Sequence, residues 1–236
     1  MTLGAMKKSP NIPPDNRHEG TRQALIEAGL ALFGEHGFKA TSTRMLSQSS
    51  GANVSAIPYY FGNKEGLYNA VVEYIVQRTT SYIGPAYAQI QNSRLNGPWT
   101  GTGARQALKT LIESMAAMFV DSDEPKSWAL IIMREQAKPT DAFDIFYNSL
   151  MKNVHDMMST LIAACTGIHP ESDEAKIRAH MFLGQILVFL SSREVILRQL
   201  GVRKLTTHHA SLIHKVMWSH VEAALNIPSL DASEKS

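Results

Sequence analysis

The chain has 236 residues, of which 44% are hydrophobic and 19% charged, and its mean hydropathy is −0.14. That balance supports a sizeable packed core and excludes a largely disordered or collagen-like polymer. Lysine and arginine number 23 against 21 acidic residues, and a net charge of +2 is too small to identify a nucleic-acid binder by itself. The single cysteine, Cys165, rules out an internal disulfide and a thiolate metal cage, so a reducing, cytoplasmic setting is expected. Lysines near the start are not followed by an apolar segment of signal-peptide type. No run of about 18 uncharged apolar residues occurs, so no membrane span is expected.

In chain order, residues 1–19 carry Pro10, Pro13 and Pro14 with mixed charge and read as a flexible arm. From Thr21 the apolar positions Leu25, Ala28, Leu32 and Phe33 follow helical spacing, and Gly37 is the expected stop. A second, short helix is expected over Thr43–Ser50, and a third segment from about Val54 to Phe61 after a turn at Gly51. Asn63 then caps a fourth helix whose Leu67, Ala70, Val71, Tyr74 and Ile75 form one stripe. Residues 91–103, with Asn96-Gly97-Pro98 and two more glycines, read as a loop.

Beyond that loop every segment has helical periodicity. Leu108, Leu111, Ile112, Met115 and Phe119 make one stripe; Trp128, Ile131 and Ile132 begin another that Pro139 stops. Phe143, Phe146, Leu150, Val154, Met157, Leu161 and Ile162 make a third, ending at Gly167 and Pro170. Two final helices are expected over about 173–200 and 206–225. The expected fold class is therefore all-α, a small helical head joined to a larger helical domain. The expected division is an arm at 1–19, a head at 20–80, a helical domain at 81–228 and a tail at 229–236.

Two short helices joined by a glycine turn form the helix-turn-helix plan, in which the second helix enters the major groove of DNA. If Leu46 and Ile57 point inward onto Leu32 and Phe33, the opposite faces present Ser42, Thr43 and Arg44 on one element and Val54, Ser55, Ala56 and Tyr60 on the other. The run from Ala31 to Gly51 and the run Ile57-Pro-Tyr-Tyr-Phe-Gly-Asn-Lys-Glu-Gly-Leu67 resemble the DNA-binding domain of the TetR family of bacterial transcriptional regulators. Phe33, Gly37, Thr43, Gly51, Tyr59, Phe61, Lys64 and Leu67 fall at that family's spacing. Met133-Arg-Glu-Gln-Ala-Lys-Pro-Thr140, Ala164-Cys-Thr-Gly167 and Gly184-Gln-Ile-Leu-Val-Phe189 also resemble the effector domain of the family's CecR branch.

The resemblance implies a ligand-responsive regulator, a repressor, bound as a homodimer to a pseudo-palindromic operator. It implies DNA contacts from Ser42, Thr43, Arg44, Asn53, Val54, Ser55, Ala56, Tyr59, Tyr60 and Lys64. Ser42 and Thr43 would cap the second helix and donate to phosphate, and Arg44 would reach phosphate or a base edge. Ser55 and Ala56 would approach bases, Tyr60 and Lys64 the backbone, with Tyr59 packing inward. Pro58 departs from the pattern: at about the fifth position of the recognition helix it crowds the carbonyl of Val54 and predicts a distorted or partly 3₁₀ helix.

The remaining chemistry-bearing residues read more plainly. The histidines are scattered, with no His-Glu-x-x-His, no paired cysteines and no Gly-x-Ser-x-Gly turn, so neither enzyme nor metal or cofactor site is expected. Cys165 reads as a buried, inert thiol. Arg134 and Glu135 form either an interhelical ion pair or a polar contact for an effector. Met115, Phe119, Trp128, Ile132, Phe146 and Met181 are either core or the lining of an effector cavity. The last two helices are apolar on more than one side, which predicts a homodimer interface built from them. The competing reading is a helical small-molecule or protein-binding module that binds no operator.

Overall fold

The computed structural model of the chain describes residues 14–95, 97–120 and 126–229, with the side chains of residues 14–17, 119, 126 and 127 outside that description. Among the described residues there are helices and no strands. They form two compact units, the first ending at Val71 and the second beginning at Val72.

The first unit contains α1 (Pro14–Ala40), α2 (Thr43–Ser50), α3 (Ala56–Phe61) and the opening of α4 (Lys64–Arg94). Leu25, Phe33, Leu46, Ile57 and Leu67, one or more from each helix, are no more than 1% exposed. Each such burial stabilises by roughly 1.5–3 kcal/mol relative to exposure. Helix α1 begins at Pro14, so the later residues of the expected arm are helical. Proline suits the first helical position because the N–H it lacks has no partner there. Gly37 interrupts the helical backbone at φ 79°, ψ 167°. The buried Thr41 hydroxyl then reaches the carbonyl oxygens of Leu32 and Gly37 at 3.1 and 2.8 Å, holding the chain as it turns into α2.

The second unit continues α4 and adds α5 (Gly101–Val120), α6 (Lys126–Ala137), α7 (Asp141–Phe146), a π-helical turn (Tyr147–Met151), α8 (Lys152–Thr166), α9 (Asp173–Ser191), α10 (Arg193–Leu200) and α11 (Thr207–Leu225). Its core joins Leu108 and Leu111 of α5, Trp128 of α6, Leu161 and Ile162 of α8, Ile186 of α9 and Val221 of α11. Helix α4 runs on to Arg94 and α5 starts at Gly101, so the expected loop is shorter than residues 91–103.

Two expected helices differ from the structure. The stripe from Phe143 to Ile162 is a continuous rod, but it contains the π turn, which admits one extra residue per turn. The segment from Asp173 to Leu200 is two helices, bent by 70° at Ser192, whose φ −122° and ψ 27° leave the helical region. The bend falls at the pair Ser191-Ser192, where serine hydroxyls compete with the backbone ladder. Among the described residues no single helix is long and apolar enough to cross a membrane.

A buried clamp ties the end of α11 to α9. The Arg178 guanidinium meets Glu174 at 2.6 Å and donates to the carbonyls of Ala224 at 2.8 Å and Pro228 at 3.2 Å. Ser229 donates to the other Glu174 oxygen at 2.9 Å. The guanidinium fork thus satisfies carbonyls that the end of α11 leaves open.

Candidate nucleic-acid interface

Helix α2 starts where Ser42 takes an extended conformation and its Oγ accepts from the Met45 N–H at 3.2 Å, an N-cap. Its hydroxyl proton remains available to donate. The helix ends at Gly51, held at φ 69°, a left-handed conformation that costs glycine little and an L side chain about 1 kcal/mol or more. Ser47 secures the turn by donating its hydroxyl to the Ala52 carbonyl. With Leu46 and Ile57 buried, the far sides of α2 and α3 are left to solvent, as the amphipathic spacing requires.

Asn53 organises the entry to α3: its Oδ1 accepts from both the N–H and the hydroxyl of Ser55 at 3.0 Å. The first turn uses three-residue bonds, Ala56 N to Asn53 O at 2.9 Å and Ile57 N to Val54 O at 3.3 Å. Pro58 is therefore the third residue of the α-helix, inside the first turn, and the Val54 carbonyl it was expected to crowd is bonded to Ile57. The helix past it is regular, with Gly62 N bonding Pro58 O at 3.0 Å. The 3₁₀ character was expected, but it belongs to the entry at Asn53–Ile57, and proline fits there because first-turn N–H groups lack intrahelical partners.

Ser42, Arg44, Asn53, Val54, Ser55 and Tyr59 are exposed, while Thr43, Ala56, Tyr60 and Lys64 are half-buried. Arg44 makes no hydrogen bond or ion pair with any described residue. Tyr59 corrects the expectation of inward packing, being 72% exposed. Ile57 and Phe61, four residues apart, take the inner face, so a side chain two residues from each points out. Tyr60 is the more enclosed of the pair, with its hydroxyl 2.9 Å from His18 Nδ1. His18 stands in the segment expected to be an arm, and nothing in its local sequence signals a partner 42 positions away.

Lys64 is more committed than expected. Its Nζ donates to the carbonyls of Phe38 and Thr41, both at 3.0 Å, and lies 4.2 Å from the Phe38 ring centre. Asn63 caps α4 as expected, accepting from Gly66 N at 2.7 Å. Glycine is required at 66: a Cβ there would lie 1.9 Å from the Phe61 carbonyl oxygen.

A family model described as the C-terminal domain of the HTH-type transcriptional dual regulator CecR matches residues 104–226, just over half the chain, and a model for bacterial regulatory proteins of the tetR family matches residues 25–71. The chain belongs to the TetR family of transcriptional regulators. It carries a CecR-type C-terminal domain, and it is a DNA-binding regulator of a family whose members act as dimers. Among its relatives, the HTH-type transcriptional dual regulator CecR of Shigella flexneri is 28% identical over 207 residues, 88% of this chain and 92% of that protein. Two solved structures share the fold. AibR, in complex with isovaleryl coenzyme A and operator DNA, has a TM-score of 0.61 at 14% identity, covering 85% of this chain and 97% of AibR. The SmeT–triclosan complex has a TM-score of 0.58 at 19% identity, covering 89% and 95%.

The residues expected at an effector site of this TetR-family chain differ in their burial. Met115, Trp128, Ile132 and Phe146 are buried, and Ile132 also lines a groove of about 360 Å³ with Leu187 and Leu190. Met181 is 63% exposed, which corrects its placement on an inward stripe: it follows Ile177 by one turn on the outer face of α9. Arg134 is exposed, and the Phe119 side chain lies outside the described residues. Glu135, 5% exposed, accepts from both the N–H and the hydroxyl of Thr140 at 3.0 and 2.8 Å, so one carboxylate oxygen secures the turn from α6 into α7.

Proposed function

We propose that this regulator is a repressor that holds a pseudo-palindromic operator as a homodimer and is released when a small organic effector binds its helical domain. The observation that supports the reading is the outward face from Ser42 to Tyr59, hydroxyl-rich and carrying at Arg44 a guanidinium with no partner among the described residues, on short helices braced by a buried apolar wedge. Arg44 and Ser42 would hold phosphates, Lys64 and Tyr60 the strand beside them, with Thr43 and Asn53 at the edges of the contact. Val54, Ser55, Ala56 and Tyr59 would meet base edges and thymine methyls.

The functional division follows: residues 20–80 read DNA and residues 81–228 receive the effector and dimerise. Helix α4 belongs to both, so an effector that prefers one tilt of α4 shifts the population toward heads spaced wrongly for the two half-sites. AibR and SmeT, each with a bound small molecule, favour effector control over constitutive binding. We assign the chain no enzymatic role, and a reducing cytoplasm suits its one thiol.

Gel shifts with the DNA upstream of its own gene test the assignment. Arg44→Ala should weaken binding and lower the salt slope by about one ion, the signature of a lost phosphate contact. Unchanged affinity and slope would remove Arg44 from the interface; no retained fragment at low salt would overturn operator binding altogether.

A further inference from the structure

A groove of about 1010 Å³ opens within the second unit, with His214 and Trp218 of α11 on one side and Lys109 and Glu113 of α5 on the other. Arg193 of α10 and the connection Lys204–Thr206 complete its lining. None of the residues expected at an effector site contributes to it.

Its charge is one-sided. Four cations, Lys109, Arg193, Lys204 and Lys215, face two carboxylates, Glu113 and Glu222. Glu113 already has Lys109 at 3.9 Å, and Lys109 also lies 5.6 Å from the Trp218 ring centre. Lys204 and Lys215 make no hydrogen bond or ion pair with any described residue. Two such lysines in a concave site raise the local concentration of anions.

A second observation points to a ligand. His214 Nε2 is a buried nitrogen with no hydrogen-bond partner among the described residues. Buried polar atoms are paired in the great majority of cases, and one left open asks for an external partner. The Trp218 indole, Val120 and Leu205 supply an apolar wall beside it. The volume is at the upper end of that needed for a single organic molecule, about 300–1,000 Å³.

We infer that this groove binds an organic anion with an aromatic or aliphatic body, the acid group held by Lys204 and Lys215 and the body lying on Trp218 beside His214. Leu212 and Val216 are roughly opposite His214 and Trp218 around α11, at about 100° per residue, so a dimer formed through them leaves the groove open. The inference rests on the regulatory reading only for the consequence of binding, not for binding itself.

The test is a titration of the full-length protein with 8-anilinonaphthalene-1-sulfonate, an aromatic anion, followed by probe fluorescence and tryptophan emission. Saturable binding is expected, weakened by added salt, and Lys204→Gln/Lys215→Gln should raise Kd about tenfold or more. Lys152→Gln, on the exposed side of α8, should leave Kd unchanged, and circular dichroism confirms that each variant is folded. N-phenyl-1-naphthylamine, which has the same rings without the sulfonate, should bind far more weakly. No binding, an unchanged Kd in the double variant, or equal affinity for the uncharged probe would each overturn the inference. Operator gel shifts run on the same preparations keep the two readings separate: a protein that binds the probe but no DNA fails the regulatory reading alone, and the reverse fails the groove alone.

Discussion

The Lys64 ammonium has three donors, and two of them end on the carbonyls of Phe38 and Thr41, so its removal acts on the joint between α1 and α4 before it acts on DNA. A residue type shows that a charge is present, but only the fold shows what has already claimed it. Glu135 is a second instance, since its contact with Thr140 makes it a brace of the α6–α7 turn. Cys165 is a third, because it was expected to be buried and is only half-buried. The thiol is half-buried, and burial pushes its pKa above the ordinary value, with a smaller opposing pull from Arg105. The thiolate is the reactive form, so a raised pKa lowers reactivity at neutral pH and moves the rise in rate to higher pH. Iodoacetamide labelling of the folded protein at pH 7.5 should be several-fold slower than that of glutathione, with full reactivity restored in denaturant. A rate equal to that of the free thiol would place Cys165 in a different environment.

At the level of elements, capping chemistry was the most readable signal. Helix α2 runs over Thr43–Ser50 as expected, because Ser42 and Gly51 mark its ends with local bonds and a local backbone conformation. Thr206 does the same for α11, where it and His209 form a reciprocal capping box. Apolar periodicity, by contrast, carried no sign of the bend at Ser192 or of the π turn at Tyr147–Met151, since both keep an apolar face and alter only its direction. Pro58 shows how a boundary changes a prediction. In a helix interior a proline costs about 3 kcal/mol or more, and replacing it would stabilise the protein. In the first turn of α3 it costs little and restricts the unfolded chain, so Pro58→Ala should lower stability, by up to about 1 kcal/mol, and leave operator affinity nearly unchanged. Thermal unfolding read beside a gel shift checks both; a Tm increase would mean that the proline strains the helix.

For the whole molecule, the exposed apolar side chains of the second unit call for a cover. Ile177, Met181 and Val188 on α9, and Leu212 and Val216 on α11, are all exposed in the single chain. An apolar face of this kind rimmed by polar residues marks an association surface, and the family's dimeric habit identifies the partner as a second copy. Two charges placed in that face should be enough to split it, because an unpaired buried carboxylate costs several kcal/mol. Met181→Glu/Val216→Glu should therefore sediment as a folded monomer and lose operator affinity, since one head can reach only one half-site. Sedimentation velocity with circular dichroism reads the first point and a gel shift the second; an intact dimer would place the interface elsewhere.

By itself the sequence determined the all-α class, the helix-turn-helix plan over α2 and α3, most helix ends and the family, because each depends on contacts within a few residues or on a pattern carried by consecutive positions. Only the tertiary structure decided that Tyr59 faces out, that Met181 lies on the surface, that Lys64 is bound to α1, and that α5 and α11 enclose a cationic groove. Those facts depend on which faces of distant helices meet, and a local pattern specifies that a face is apolar without specifying what is brought against it.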